Sequence, residues 1–284
     1  MNLEFIDNEA YYCGLKIYIH SDMTLEGTNI DYVKGICSTK IRHLTLVDNG
    51  IEDISEFNPG NLISFNSIHN QIKSLDNFTT GKLKSLVIHN SLVRHISKFN
   101  VGNLECLYLS NSKIYDLPAF KVDGLRELHF SNTRLESLDL SFNLGNLVEL
   151  YLNGNNIKDL THLRITPHLR ILSLINNEIE SVNGINFHNL RILNLSSNKI
   201  TEINSLDVCK LEELILNDNS IHDILSLNVK ELKVLKLQYN PIEKVLGFNP
   251  KGLTKLLLDC SFDEKIIDRL RNHMRDKTTK SARK

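Results

Sequence analysis

His89, Glu127, His129 and Glu149 are the side chains of this sequence best suited to chemistry. Neighbouring carboxylates can split their pKa values, as acid–base catalysis requires, and carboxylates with imidazoles also hold metals. No HExxH, GxSxG or phosphate-loop pattern accompanies them. Their surroundings are Tyr108 and Tyr151, with Asn90, Asn111, Asn132, Asn153, Ser110 and Ser131. Rigid aromatics among adaptable amides and hydroxyls have the composition of a protein-binding surface. We therefore expect a partner-binding face made of His89, Asn90, Tyr108, Asn111, Glu127, His129, Asn132, Glu149, Tyr151 and Asn153. No catalytic residue, metal or cofactor is expected. The competing reading is a tyrosine ladder that serves only stability.

The elements that must position these residues repeat along the chain. Residues 190–210 read LRILNLSSNKITEINSLDVCK, with Leu190, Leu193, Leu195, Ile200, Ile203 and Leu206 at slots 1, 4, 6, 11, 14 and 17 and Asn198 at slot 9. Units begin at His20, Ile41, Leu62, Leu83, Leu104, Leu125, Leu147, Leu169, Leu190, Leu211 and Leu232, and a partial one begins at Leu253. The step is 21 residues except for 22 at the two steps from Leu125. Self-similarity at such a period marks a stacked solenoid. Slots 3 to 7 alternate outward and inward and read as a short strand, so successive units should build a parallel sheet. Function then belongs to the outward slots 3, 5, 7 and 8. The first unit puts Met23, Leu25, Ile30, Val33 and Ile36 in core slots. The inward Asn column, Asn49, Asn70, Asn155, Asn177, Asn198, Asn219 and Asn240, should satisfy backbone groups at the strand-to-loop turn. Ser91, Ser112 and Thr133 replace it in three consecutive units.

The ends depart from the pattern. Residues 1–19 are expected to cap the array, with Leu15, Ile17 and Ile19 in a strand over the first coil. Residues 20–260 carry eleven full units and one partial one. In residues 261–284, Ser261 and Glu264 have capping-box spacing and Ile266, Ile267, Leu270 and Met274 share a helical face, so a capping helix is expected before a basic tail.

The L-x-x-L-x-L-x-x-N-x-I core resembles the leucine-rich repeat family, in particular its short-repeat class, seen in the phosphatase-1 regulatory subunit and the internalins. The resemblance implies an α/β repeat solenoid, a horseshoe with a concave parallel β-sheet, convex turns and 3₁₀ segments. It also implies a non-enzymatic scaffold that binds a protein on the concave sheet.

The remaining expectations follow from charge and cysteine. The chain has 284 residues and a net charge of −1, which gives no overall bias toward nucleic acid or an anionic membrane. Outward slots carry Asp22, Glu26, Asp48, Glu127, Glu149, Glu213, Asp218 and Asp259 against Lys236 and Lys255, so the sheet face should repel a phosphate backbone. The expected partner is a protein, basic or neutral rather than acidic. Slot 2 holds a rim of Arg42, Lys84, Arg126, Arg170, Arg191 and Lys233 with Glu105 and Glu212, which keeps a nucleic-acid-contacting scaffold, using rim and tail, as an alternative. Outward Val47, Ile68, Val87, Ile171, Ile175, Ile192, Ile215 and Val234 keep a self-associating solenoid or homo-oligomer open. Five cysteines without a C-x-x-C pair suit a reducing, cytoplasmic setting. No run of apolar residues is long enough for a membrane helix or a signal peptide.

Overall fold

The computed structural model describes residues 1–94, 96–115, 124–136, 145–161, 163, 166–182, 188–203, 206, 210–225, 227, 231–246 and 252–258. They fall into two compact units, Met1–Val148 and Glu149–Lys284.

In the first unit the comb of inward side chains becomes six parallel strands. These are β4 (Asp22–Glu26), β6 (His43–Val47), β8 (Ser64–Ile68), β9 (Ser85–His89), β10 (Cys106–Tyr108) and β11 (Glu127–His129). Each pairs with the next in register, so that Leu44, Phe65, Leu86, Leu107 and Leu128 stand one above the other. All five are fully buried. Removing one such side chain from water contributes about 2 kcal/mol, so the column is a main support of the stack. Behind the sheet, slot 17 buries Phe57, Phe78 and Phe99. The Phe57 ring lies 5.2 Å from Phe65 and 6.5 Å from Phe78.

The cap is larger than a single strand. Strands β1 (Asn2–Ile6), β2 (Glu9–Tyr12) and β3 (Leu15–Ile17) form an antiparallel meander. Strand β1 also pairs in parallel with β5 (Tyr32–Ile36), which pairs with β7 (Phe57–Asn58) on the return side of the coils. The covering side chains are Leu3, Phe5 and Ala10. The strand expected at Leu15 exists, but it is the third strand out from β5 and Leu15 is 73% exposed. Ile36, expected in the core, is 64% exposed. It follows Gly35, which has φ +88° and lies so close to β1 that a Cβ would sit 2.2 Å from the Phe5 carbonyl oxygen. The apolar contact with the next coil is made instead by Phe5, whose ring lies 5.8 Å from Phe57.

The second unit repeats the parallel ladder. Its strands are β12 (Glu149–Tyr151), β13 (Ile171–Ser173), β14 (Ile192–Asn194), β15 (Glu213–Ile215), β17 (Val234–Lys236) and β19 (Lys255–Leu257). Leu150, Leu172, Leu193, Leu214, Leu235 and Leu256 align across it. A second short ladder, β16 (Asp223–Leu225) with β18 (Lys244–Leu246), runs on the return side. The sequence pattern had not signalled either return-side ladder.

Among the described residues the return path holds turns, not 3₁₀ helices. Phe57 N donates to Ile54 O at 3.1 Å and Leu62 N to Pro59 O at 2.9 Å, and equivalent pairs recur at Phe78 and Leu83 and at Phe99 and Leu104. A 3₁₀ helix needs such bonds in succession. Here each is single, because the chain extends between the two turns to bury slot 17. The expected capping helix and basic tail lie outside the described residues.

The Asn column is bonded as its chemistry requires. Asn198 Nδ2 donates to Leu174 O at 2.9 Å in the preceding coil and to Leu195 O at 3.0 Å in its own, while its Oδ1 accepts from Ile179 N at 3.1 Å. Asn177, Asn219 and Asn240 repeat the same bonds. In the first unit Asn49 and Asn70 bond in the same way, and where serine replaces the amide Ser91 Oγ and Ser112 Oγ meet at 3.3 Å.

Candidate protein-binding face

Of the ten residues singled out from sequence, seven belong to the first unit. All seven lie on the outward side of its sheet, none of them buried. Slots 3 and 5 of β10 and β11 bring four side chains together. The rings of Tyr108 and His129 stack with centroids 4.2 Å apart and planes 24° apart. His129 Nε2 lies 2.8 Å from Glu127 Oε1, and Cys106 Sγ donates to Glu127 Oε2 at 3.7 Å. The Glu127 and His129 side chains are 27% and 21% exposed. Burial pushes the Glu127 pKa up, but hydrogen bonds from His129 and Tyr108 outweigh it and hold the carboxyl below its usual range. The same burial, with the Glu127 charge beside it, pushes the Cys106 thiol up. The cluster is therefore a carboxylate held in place by an imidazole and a phenol, with a protonated thiol behind it.

His89 ends β9, the strand next to β10. Burial, followed by the neighbouring His69, pushes its pKa down and favours the neutral ring. Its Nε2 lies 3.3 Å from Asn111 Nδ2, which suits a neutral imidazole accepting from the amide.

The asparagines have a second explanation. Asn90, Asn111 and Asn132 occupy slot 8, where the backbone is left-handed with φ of 52°, 55° and 56°. Asp48, His69, Asn176, Ser197, Asp218 and Tyr239 share that conformation at the same slot. Asparagine tolerates it better than most residues, so the backbone accounts for part of what looked like interface composition. The amides also form an external ladder: Asn132 Nδ2 donates to Asn111 Oδ1 at 2.8 Å, and Asn111 Nδ2 donates to Asn90 Oδ1.

The other three residues belong to the second unit. Tyr151 Oη donates to Glu149 Oε2 at 2.8 Å. Asn153 Oδ1 accepts from Ser173 Oγ at 2.7 Å and Ile175 N at 2.9 Å, so it braces the neighbouring coil. Among the described residues no group of three or more His, Cys, Asp or Glu could hold a metal ion, and no helix is long and apolar enough to cross a membrane.

Two arrangements went unread in the sequence. Asp48 Oδ1 lies 2.8 Å from His69 Nδ1, and Asp22 Oδ1 lies 3.9 Å from His43 Nε2. Each is an acid and a histidine at the same slot one repeat apart, a signal visible once the coils are aligned. The slot 2 rim is also less cationic than its composition. Lys84 pairs with Glu105 at 2.8 Å, Arg191 and Lys233 both reach Glu212, and Arg170 Nη1 donates to the carbonyls of Pro167, Leu169 and Asn189.

Coils of about 21 residues, each giving one strand to a parallel sheet and most of them a buried Asn, Ser or Thr to the turn after it, define a repeat-stack protein with one sheet face turned outward. The sequence matches the family model for leucine-rich repeats (2 copies) over residues 123–164 and 167–208. Those two stretches are leucine-rich repeats, and the same spacing of about 21 residues continues on both sides of them. Comparison with curated proteins gives no match. Among solved structures the chain is similar to YopM from Yersinia enterocolitica WA-314, with a TM-score of 0.64 and 22% identity over 81% of this chain and 49% of that one. Weaker likenesses link it to the PEPR1–AtPEP1 crystal structure, at TM-score 0.48 and 17% identity over 76% of this chain and 41% of that one. The TLR13–ssRNA13 complex is similar at TM-score 0.48 and 18% identity, over 81% and 46% respectively. The chain thus spans about half the length of these three solved chains, and the likeness to YopM is one of fold.

Proposed function

We propose that the chain is a non-enzymatic protein-binding module that takes its partner on the outward sheet face, with Tyr108, Glu127 and His129 at the centre of the contact in the first unit. Glu149 and Tyr151 offer the same pairing of acid and aromatic in the second. In this proposal residues 1–19 cap the array, residues 20–260 carry the repeats and residues 261–284 close it. The free thiols of Cys13, Cys37 and Cys106 suit a reducing, cytoplasmic setting.

The observation that carries the proposal is the stacked Tyr108–His129 pair, locked by Glu127 on a strand rather than a loop. A side chain already held in its bound geometry loses little freedom on association, and aromatic residues of this kind dominate binding energy. Pairing of the rim cations with Glu105 and Glu212 speaks for a solvated edge rather than a nucleic-acid track.

The experiment is capture from lysate on the immobilised chain, with bound proteins identified by mass spectrometry, repeated with Tyr108→Ala and Tyr151→Ala combined. Loss of the captured protein by about tenfold or more, with the melting temperature moved by less than about 4 °C, supports binding at this face. Equal loss of folding and capture would reject it. Self-association is the second reading, favoured by Ile171 standing directly beside Ile192 in the outward register of the second unit. Light scattering that gives a dimer mass, abolished by Ile192→Lys, would favour it.

A further inference from the structure

The outward slots of the first unit carry an unusual balance of charge. Slots 3, 5, 7 and 8 of its six coils hold four carboxylates, Asp22, Glu26, Asp48 and Glu127, and neither lysine nor arginine. They also hold four histidines, His43, His69, His89 and His129. The only groups on this face that can become cationic are therefore imidazoles, which as a residue type gain a proton in the range from about pH 5 to 8.

Their placement is specific. His43 on β6 faces Asp22 on β4, Nε2 to Oδ1 at 3.9 Å, and its Nδ1 meets Ser64 Oγ on β8 at 2.7 Å. His69 faces Asp48 of the preceding coil, Nδ1 to Oδ1 at 2.8 Å, and the His89 ring of the following one at 6.5 Å. His129 on β11 faces Glu127 of its own strand at 2.8 Å and Tyr108 of β10. Glu26 is the exception, since its register partner in the next coil is Val47. His89, beside His69 and Asn111, is pushed toward neutrality and stands apart from the acids. The permanent cations Arg42, Lys84 and Arg126 belong to slot 2, outside these columns.

We propose that this face takes a cationic protein segment at neutral pH and releases it on acidification, because protonated His43, His69 and His129 turn the carboxylates of Asp22, Asp48 and Glu127 into internal ion pairs. The proposal rests on the protein-binding role given above and adds the chemistry of the partner and its regulation. With the imidazoles neutral, four negative charges face an incoming lysine- or arginine-rich surface. With three imidazoles protonated the face keeps one net negative charge, and three of its four carboxylates already have a cation beside them. Opposite charge across an interface sets which partner docks and how fast.

The test uses the full chain and fluorescein-labelled octalysine, followed by anisotropy at about pH 7.5 and about pH 5.5 and constant ionic strength, a range in which lysine keeps its charge. At roughly twofold per exposed pair, affinity should fall by about eightfold at the lower pH. In His43→Gln combined with His69→Gln the fall should shrink to about twofold, the share of the remaining pair. Asp22→Asn with Asp48→Asn should weaken binding at neutral pH and flatten the profile. An undiminished fall in the double histidine variant would overturn the proposal, as would octalysine binding no tighter than labelled octaglutamate at neutral pH. Failure of the wider role looks different: octalysine keeps its pH profile, yet Tyr108→Ala combined with Tyr151→Ala captures the lysate partner unchanged.

Discussion

The buried asparagine column can be tested at one position. Asn198→Ala removes an amide that joins two coils: it donates to Leu174 O and accepts from Ile179 N in the coil before, and donates to Leu195 O in its own; Asn219 repeats the arrangement one coil on. The Ile179 N–H then has no acceptor at the site where water is excluded. A stranded buried donor costs about 1–3 kcal/mol, and the lost bonds to Leu174 O and Leu195 O add about 1 kcal/mol, giving about 3 kcal/mol in all. In a repeat array each coil leans only on its neighbours, so a bulk melting curve can average the defect away. Amide exchange at Ile179 reads the coil itself, and 3 kcal/mol corresponds to exchange faster by about two orders of magnitude. Lys199→Ala, which removes only the exposed 2.9 Å pair with Glu178 one residue along, is the control and should leave that amide unchanged. If the two variants exchange alike, the column does not brace the coils and its recurrence needs another cause.

Three further outcomes follow from particular residues. Burial raises the Cys37 thiol to about 12, whereas an unfolded thiol ionises near about 8.5, so the native chain keeps a proton that the unfolded chain gives up. Stability should therefore decline as pH rises through about 8.5 and continue to decline toward 12, a slope that Cys37→Ala should reduce in urea midpoints, while exposed Cys13 reacts first with a thiol reagent. Gly35→Ala would press a Cβ against the Phe5 carbonyl at a positive φ and should cost about 2 kcal/mol or more, seen as early loss of exchange protection in β1 and β5. Tyr239 is 70% exposed and left-handed at φ 59°, so Tyr239→Asn should stabilise the second unit by about 1 kcal/mol in urea unfolding.

The sequence was most legible where each coil faces the same surroundings. Slots 4 and 6 meet the same slots above and below, so Leu107 and Leu128 announce their burial by period alone, and Asn198 announces its role in the same way. Legibility failed wherever neighbours are unlike. Leu3 and Phe5 lie outside the period, and what they cover is decided by a meander that no local rule places on the first coil. Ile36 fitted a core slot by spacing, yet the chain reaches it through Gly35, pressed against β1. The return-side ladders β5–β7 and β16–β18 depend on how closely adjacent coils approach, which the pattern of leucines leaves open. The left-handed slot was visible as a run of Asp, His, Asn, Gly and Ser one residue before the Asn column, but the same residue types are those of a binding surface.

That ambiguity sorts the candidate residues. Asn90, Asn111 and Asn132 answer to a backbone that needs φ near 55°, and Asn153 answers to the N–H of Ile175, so the fold would ask for them with no partner in view. Slots 3 and 5 make no such demand, because any residue can point outward from a strand, and Ser64, Ser85 and Thr45 fill them elsewhere in the same unit. Glu127, His129 and Tyr108 are then what the architecture leaves unexplained. An acid in a half-buried position is costly unless donors hold it, and here the donors are themselves outward side chains. The sheet requires neither the acid nor the side chains that hold its charge, and under the proposed function they are the contact kept ready for a partner.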